Sequence, residues 1–282
     1  MTAVQRECAP GKSVGWVRKK TYFYRAGSRI LQAMIKSRIS GWLLGIIPQE
    51  TKRRLGVLLG APDLRWSLRG IREFGFRPSH VMDVGAFQGD WARVCLDVFP
   101  EATIVCIEPQ EGPQEQLKKL ANRHSNVKVI QTLLGKFESA NIPFREVGSG
   151  SSVLLNSGRE SQRPMTTIDA LIKGRHCESP ELLKLDVQGF ELEILQGYTH
   201  DFERCKVIQI EISLLPIVQG APSLHDVVNY LYKRGFVMFD VDELIRAPSD
   251  GNVWQIDALF CRIDSPLRTK RIWRTPSGQG RA

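Results

Sequence analysis

Val81-Met82-Asp83-Val84-Gly85-Ala86-Phe87-Gln88-Gly89-Asp90 reads as a short apolar strand that runs into a glycine turn and then a helix. Gly85 lets the backbone turn sharply and come close to a ligand, and Gly89 stands at the helix start. The spacing is D-x-G-x-x-x-G, not the G-x-G-x-x-G of dinucleotide enzymes, so a tight pyrophosphate cradle is not expected. Glu108 closes the next apolar run, about twenty residues beyond the turn, where an acid can accept hydrogen bonds from two ribose hydroxyls.

Outward from this unit the chain alternates short apolar runs with helix-length segments. Strands are expected at 80–84, 103–107, 127–130, 182–186 and 207–212, with helices at 90–99, 113–123, 167–172 and 190–196 between them. Ser223 and Asp226 form a capping box for a helix that stops at Gly235. A hairpin of 236–240 and 254–262 follows, turned at Asp250-Gly251. The fold class is therefore α/β: a Rossmann-like, mostly parallel sheet with one antiparallel strand near the C-terminus and helices on both faces. The stretch 135–165 carries no clear period, and Gly148-Ser149-Gly150-Ser151-Ser152 reads as a flexible loop.

Three segments are expected: a basic helical extension over 1–76, the α/β domain over 77–264, and a disordered basic tail over 265–282. In the extension, Leu31, Ile35, Ile39, Trp42 and Ile46 recur at helical steps up to Pro48, and a second helix follows Pro62 with Leu64, Leu68 and Ile71 on one face. This is either a cap on the domain or a basic amphipathic surface that lies on a membrane. Residues 1–77 carry sixteen basic and four acidic side chains, whereas 78–264 carry eighteen basic and twenty-six acidic ones. An acidic centre argues against nucleic acid as a partner of the domain. No signal-peptide pattern and no bilayer-length apolar run occurs, and the six cysteines lack metal-site spacing, so a cytoplasmic location is expected, with membrane association through the basic front as the variant.

Ligands of open α/β sheets bind at the carboxyl ends of the strands. Asp83, Glu108, Asp186 and Glu211 all stand at such ends, and unpaired carboxylates are costly there unless a donor meets them. Lys184 precedes Asp186 by two and so shares its sheet face.

The sequence resembles the FkbM-type family of S-adenosylmethionine-dependent methyltransferases. The resemblance is carried by Val81 to Ala86, Ile107-Glu108-Pro109, the run Leu183-Lys184-Leu185-Asp186-Val187-Gln188-Gly189-Phe190-Glu191, and Glu211 to Pro216. It spans about residues 77–264. It implies a class I methyltransferase fold, S-adenosyl-L-methionine as cofactor, and O-methylation of acceptors such as polyketide hydroxyls and sugars. Carried onto this chain, it places the cofactor against Asp83, Gly85 and Gly89, with Glu108 on the ribose.

Asp186 would then lie near the sulfonium as base or acceptor orienter, or else cap the following helix; Lys184 would tune it or touch the acceptor. Glu211 would touch the substrate or help Asp186 hold a divalent ion. Two carboxylates without a third ligand at clear spacing are weak evidence for a metal, so no metal site is expected. Glu191 reads as a helix-dipole acid and His225 as a surface histidine that could still serve as a base. The alternatives are an NAD-dependent oxidoreductase on a similar sheet and a membrane- or RNA-associated binding protein acting through the basic front. The oxidoreductase lacks both its glycine fingerprint and a Tyr-x-x-x-Lys pair.

Overall fold

The computed structural model describes residues 51, 61–148, 150–155, 158–215, 218–247 and 249–269. The amphipathic helix expected between 28 and 47, and with it the membrane-surface reading, lies outside the described residues. The described residues from Pro62 onward form one compact unit.

Seven strands make the main sheet: β1 (His80–Val84), β2 (Thr103–Ile107), β3 (Val127–Ile130), β7 (Leu182–Leu185), β8 (Val207–Ser213), β9 (Phe236–Arg246) and β10 (Val253–Arg262). Their spatial order is β3-β2-β1-β7-β8-β10-β9. β1, β2, β3, β7 and β8 are mutually parallel, and β10 is antiparallel to both β8 and β9. This is the expected sheet, with its single antiparallel strand inserted beside β8. The order reverses at β1, so the crevice above the carboxyl ends of β1 and β7 is where such a sheet takes its ligand.

Alternation along each strand splits the core in two. Met82, Val84, Val105, Ile107, Leu183, Leu185, Ile208 and Ile210 pack on one face, while Val81, Ile104, Cys106, Leu182, Val207 and Leu259 pack on the other. Every one of these is buried, and each large aliphatic among them contributes roughly 1.5–3 kcal/mol. Cys106 and Cys261 are buried free thiols that act as small apolar side chains.

Helix α1 (Leu64–Glu73) starts at Asp63, whose carboxylate accepts from the Trp66 N–H, and buries Leu68 and Ile71 in the second core. The helix grouped by sequence with the basic extension is thus packed into the α/β unit. Helices α2 (Asp90–Val98), α3 (Gln114–Arg123), α4 (Ile168–Lys173) and α5 (Glu191–Gln196) alternate with the strands. Helix α6 (Leu224–Lys233) carries the expected capping box of Ser223 and Asp226. The short helix α7 (Pro266–Thr269) stands where the disordered tail is expected to begin, and its Leu267 is buried. Among the described residues no helix is long and apolar enough to cross a membrane.

The stretch without a readable period folds into a second sheet. β4 (Leu133–Leu134), β5 (Ser139–Glu146) and β6 (Arg159–Thr166) pair in the order β4-β6-β5. Leu133, Phe144 and Met165 make its small core. Ser151 and Ser152, read as part of a flexible loop, are buried instead.

Candidate active site

The turn after β1 is built for close approach. Gly85 has a φ of 76°, and a Cβ on it would lie 1.9 Å from the Asp186 carbonyl oxygen. No side chain fits there, so the backbones after β1 and β7 come together at the mouth of the crevice. The Gly85 and Ala86 N–H groups donate to the Ile107 carbonyl, and the Asp186 N–H donates to that of Val84. Gly89 precedes α2 with a φ of 82°, and a Cβ there would press on Leu117 and Leu120 at 3.1 and 3.0 Å. It sets the packing of α2 on α3 and does not line the cavity.

Glu108, just beyond β2, is buried, and its two carboxylate oxygens accept from the Phe87 N–H at 2.8 Å and the Gln110 N–H at 2.9 Å. Burial pushes its pKa up, and those two N–H groups oppose the rise. Each oxygen keeps acceptor capacity for a hydroxyl donor.

Lys184 is buried at the centre of the site. Its Nζ lies 3.3 Å from Asp83 Oδ1 and 3.2 Å from Asp186 Oδ2, and donates to the Gly85 carbonyl at 3.2 Å. Burial alone would lower its pKa, but the Asp186 and Asp83 carboxylates outweigh that and hold it well above the usual lysine value. Asp83, fully buried inside β1, is held above the usual carboxylate range by burial, with Lys184 pulling the other way. Asp83, expected against the cofactor, does not itself line the cavity. It pairs with Lys184, which does line it.

The loop after β7 is fixed from three sides. Gln188 has a φ of 57° and spends its amide group on Asp186 Oδ1 at 3.1 Å and Glu211 Oε2 at 2.8 Å. Its carbonyl accepts from the Ser152 hydroxyl at 3.1 Å. Glu191, read as a dipole acid, is buried; its Oε1 accepts from the Val187 and Gly189 N–H groups at 3.1 and 3.0 Å. Burial raises its pKa to about 7. Asp186, one-third exposed on its side chain, is thereby presented to the crevice.

Glu211 does not line the cavity and reaches it only through Gln188. It opens an acidic row, with Asp257 opposite it on β10 and Glu243 opposite Asp257 on β9. Burial first, then the Asp186, Glu191 and Asp257 charges, raise the Glu211 pKa to about 9. His225 is exposed in the first turn of α6 and lies away from the cavity. Among the described residues no group of three or more His, Cys, Asp or Glu side chains is placed to hold a metal ion.

The cavity over these residues encloses about 210 Å³. Gly85, Glu108 and Asp186 line it, with Trp91 and Phe190 as apolar walls. The β5–β6 hairpin closes one side through Phe144, Ser151, Ser152 and Val153. Ser151 ties this hairpin to Gln110, beside Glu108, at 3.1 Å, as Ser152 ties it to Gln188. Gln110, Gln188 and the two serines were not foreseen as site residues; the only sign of the serines was the glycine- and serine-rich run itself.

A Rossmann-like sheet with antiparallel β10 inserted beside β8, a glycine turn after its first strand and a buried acid after its second has the fold of a class I methyltransferase. The model of the methyltransferase FkbM domain matches residues 83–238, more than half of the chain, so the protein belongs to the FkbM methyltransferase family. Its cofactor is S-adenosyl-L-methionine, and this sets aside the NAD-dependent alternative. The chain is similar to the hexuronic acid methyltransferase AglP of Haloferax volcanii, at 25% identity over 179 residues, 62% of this chain and 72% of that one. Among solved structures it is similar to the 1,6-didemethyltoxoflavin-N1-methyltransferase of Burkholderia thailandensis, with 12% identity, a TM-score of 0.37, and coverage of 91% and 95% of the two chains. It is also similar to the precorrin-6y C5,15-methyltransferase of Geobacter metallireducens, with 12% identity, a TM-score of 0.40, and coverage of 70% and 87%. The residues present fit the cofactor: Gly85 and Glu108 line the cavity, and Glu108 offers a pre-set carboxylate at the second strand end.

Proposed function

We propose that the protein is an O-methyltransferase that acts on a hydroxyl of a sugar or other small molecule, with Asp186 as the group that takes the hydroxyl proton. S-adenosyl-L-methionine supplies an electrophilic methyl group, so the chain's own residues need only place the acceptor in line, exclude water and receive one proton. One observation carries the reading: Asp186 is the cavity carboxylate that is both partly exposed and held. Glu108 is committed to backbone N–H groups, and Asp90 is paired with Arg93 at 2.6 Å with its side chain largely in solvent. Lys184 keeps Asp186 close to a cation, and Gln188 fixes its second oxygen. A carboxylate within reach of a hydroxyl suits general-base assistance. The likeness to a hexuronic acid methyltransferase supports a sugar acceptor.

The test is transfer of labelled methyl from S-adenosyl-L-methionine to hydroxylated acceptors by wild type and Asp186→Asn. Base-stable methyl ether formed by wild type and reduced about 100-fold or more in the variant supports the reading. Methylation of nitrogen or carbon instead, or an unchanged rate in Asp186→Asn, overturns it.

A further inference from the structure

We propose that the face at the amino ends of the parallel strands, opposite the catalytic crevice, docks on a membrane surface rich in anionic phospholipid. A second cavity of about 540 Å³ opens there, between the turn after α1, the start of β8 and the end of β10. Phe74, Phe76, Pro266 and Leu267 give it apolar walls, with Lys206 and Arg262 as its cations and Glu203 and Asp264 as its acids.

The cations of this face are not spent on those acids. Lys206 donates to the Glu203 carbonyl at 2.6 Å and Arg262 to the Arg234 carbonyl at 3.2 Å. Arg77, next to Phe76, donates to the Arg72 and Phe76 carbonyls, and Arg268, next to Leu267, to the Ile263 carbonyl. None of these four makes an ion pair with a carboxylate among the described residues. Arg145 and Arg163 on the β5–β6 hairpin, by contrast, both pair with carboxylates. Main-chain carbonyls hold the heads in place without cancelling their charge. An apolar-walled cavity with uncancelled cations at its rim suits a phosphate that carries an acyl glycerol, and each cation near an anionic bilayer adds to the attraction.

Two observations extend the patch. Trp66 is 65% exposed and shares a stripe of α1 with the exposed Arg69 and Glu73. An indole of this kind is at home at the level of lipid headgroups. The chain on either side of the described unit has the matching sign: residues 1–61 carry twelve basic and two acidic side chains, and 270–282 carry four basic and none acidic. Apolar cavity walls add nothing to a contact with a nucleic-acid backbone, which needs cations alone, so a lipid surface is the better fit. The catalytic crevice, at the other end of the strands, stays open to the aqueous side when this face is docked.

The test is sedimentation of the full chain with vesicles of phosphatidylcholine alone, and of phosphatidylcholine and phosphatidylglycerol in equal parts. Wild type is expected to bind the phosphatidylglycerol vesicles at least about tenfold more tightly, and to lose that preference at about 1 M salt, where the Debye length is about 3 Å. The combined variant Arg77→Glu, Lys206→Glu, Arg268→Glu should melt like wild type and bind those vesicles about tenfold or more weakly. If it does not fold, Trp66→Ser decides, with an expected loss of about threefold. Equal binding of the two vesicle types, or undiminished binding by the variant that decides, overturns the inference. So does capture of polyuridylate or of free glycerol phosphate in place of the vesicles.

Discussion

Lys184 and Asp186, two residues apart at the carboxyl end of β7, pair at 3.2 Å, and the same ammonium reaches back to the buried Asp83. One cation thus joins a buried carboxylate to the group that faces the cavity. Removing it strands two carboxylates, one of them fully buried. Lys184→Met is expected to lose about 3–5 kcal/mol, the usual cost of breaking a buried pair from one side. Thermal unfolding checks this; an unchanged midpoint would show that the triad contributes nothing.

Gly85→Ala is expected to disrupt the site even though it adds one methyl. Its Cβ would meet the Asp186 carbonyl at 1.9 Å, and a φ of 76° is itself strained for an L side chain by about 1–3 kcal/mol. Gly112→Ala, where a Cβ would meet nothing, is the control and should melt like wild type. Equal melting of the two variants would contradict the close approach of the two strand ends.

The acidic row sets a pH dependence. Glu191, buried beside it, and Asp257 hold protons up to about 7 and Glu211 up to about 9, against ordinary values of 4.5 for Glu and 3.8 for Asp. Between those limits the folded chain binds more protons than the unfolded one, so stability falls as pH rises from about 4.5 to 9. The melting temperature should be higher at pH 5.5 than at pH 8.5, and Glu211→Gln should flatten the upper part of that fall. A rise in melting temperature over this range would contradict the sign.

Gln188 is a positioning residue. Its amide aims Asp186, and its left-handed backbone persists because Ser152, Glu191 and Glu211 over-determine it. Gln188→Ala should lower kcat about tenfold or more while S-adenosylhomocysteine affinity stays within about twofold, as expected when an interaction serves the transition state only. Parallel losses in both would mark it as scaffold.

Much of this was legible in the residues. The β1–turn–α2 unit shows through because an apolar run, two glycines and a helical period follow one another, and α6 shows through its capping box. The β4-β6-β5 sheet does not, because its longer strands, SANIPFRE and RESQRPMT, are mostly polar and bury only Phe144 and Met165. A strand is recognised in sequence by apolar alternation, which such a surface sheet lacks. Asp83 stands next to last in its strand, and the family resemblance sets it against the cofactor; its partner Lys184 lies about a hundred residues on, where only the β1–β7 register brings them level. Gln188, Ser152 and Glu191 matter through hydrogen bonds that no spacing in the chain announces.

The most direct test of the central claim is calorimetric titration with S-adenosylhomocysteine, with NAD as the comparison ligand, on wild type and Glu108→Ala. The structure predicts binding of S-adenosylhomocysteine in the micromolar range, about −8 kcal/mol, at least about tenfold weaker without the Glu108 carboxylate, and no binding of NAD. Undiminished affinity in Glu108→Ala, or binding of NAD in place of S-adenosylhomocysteine, would contradict it.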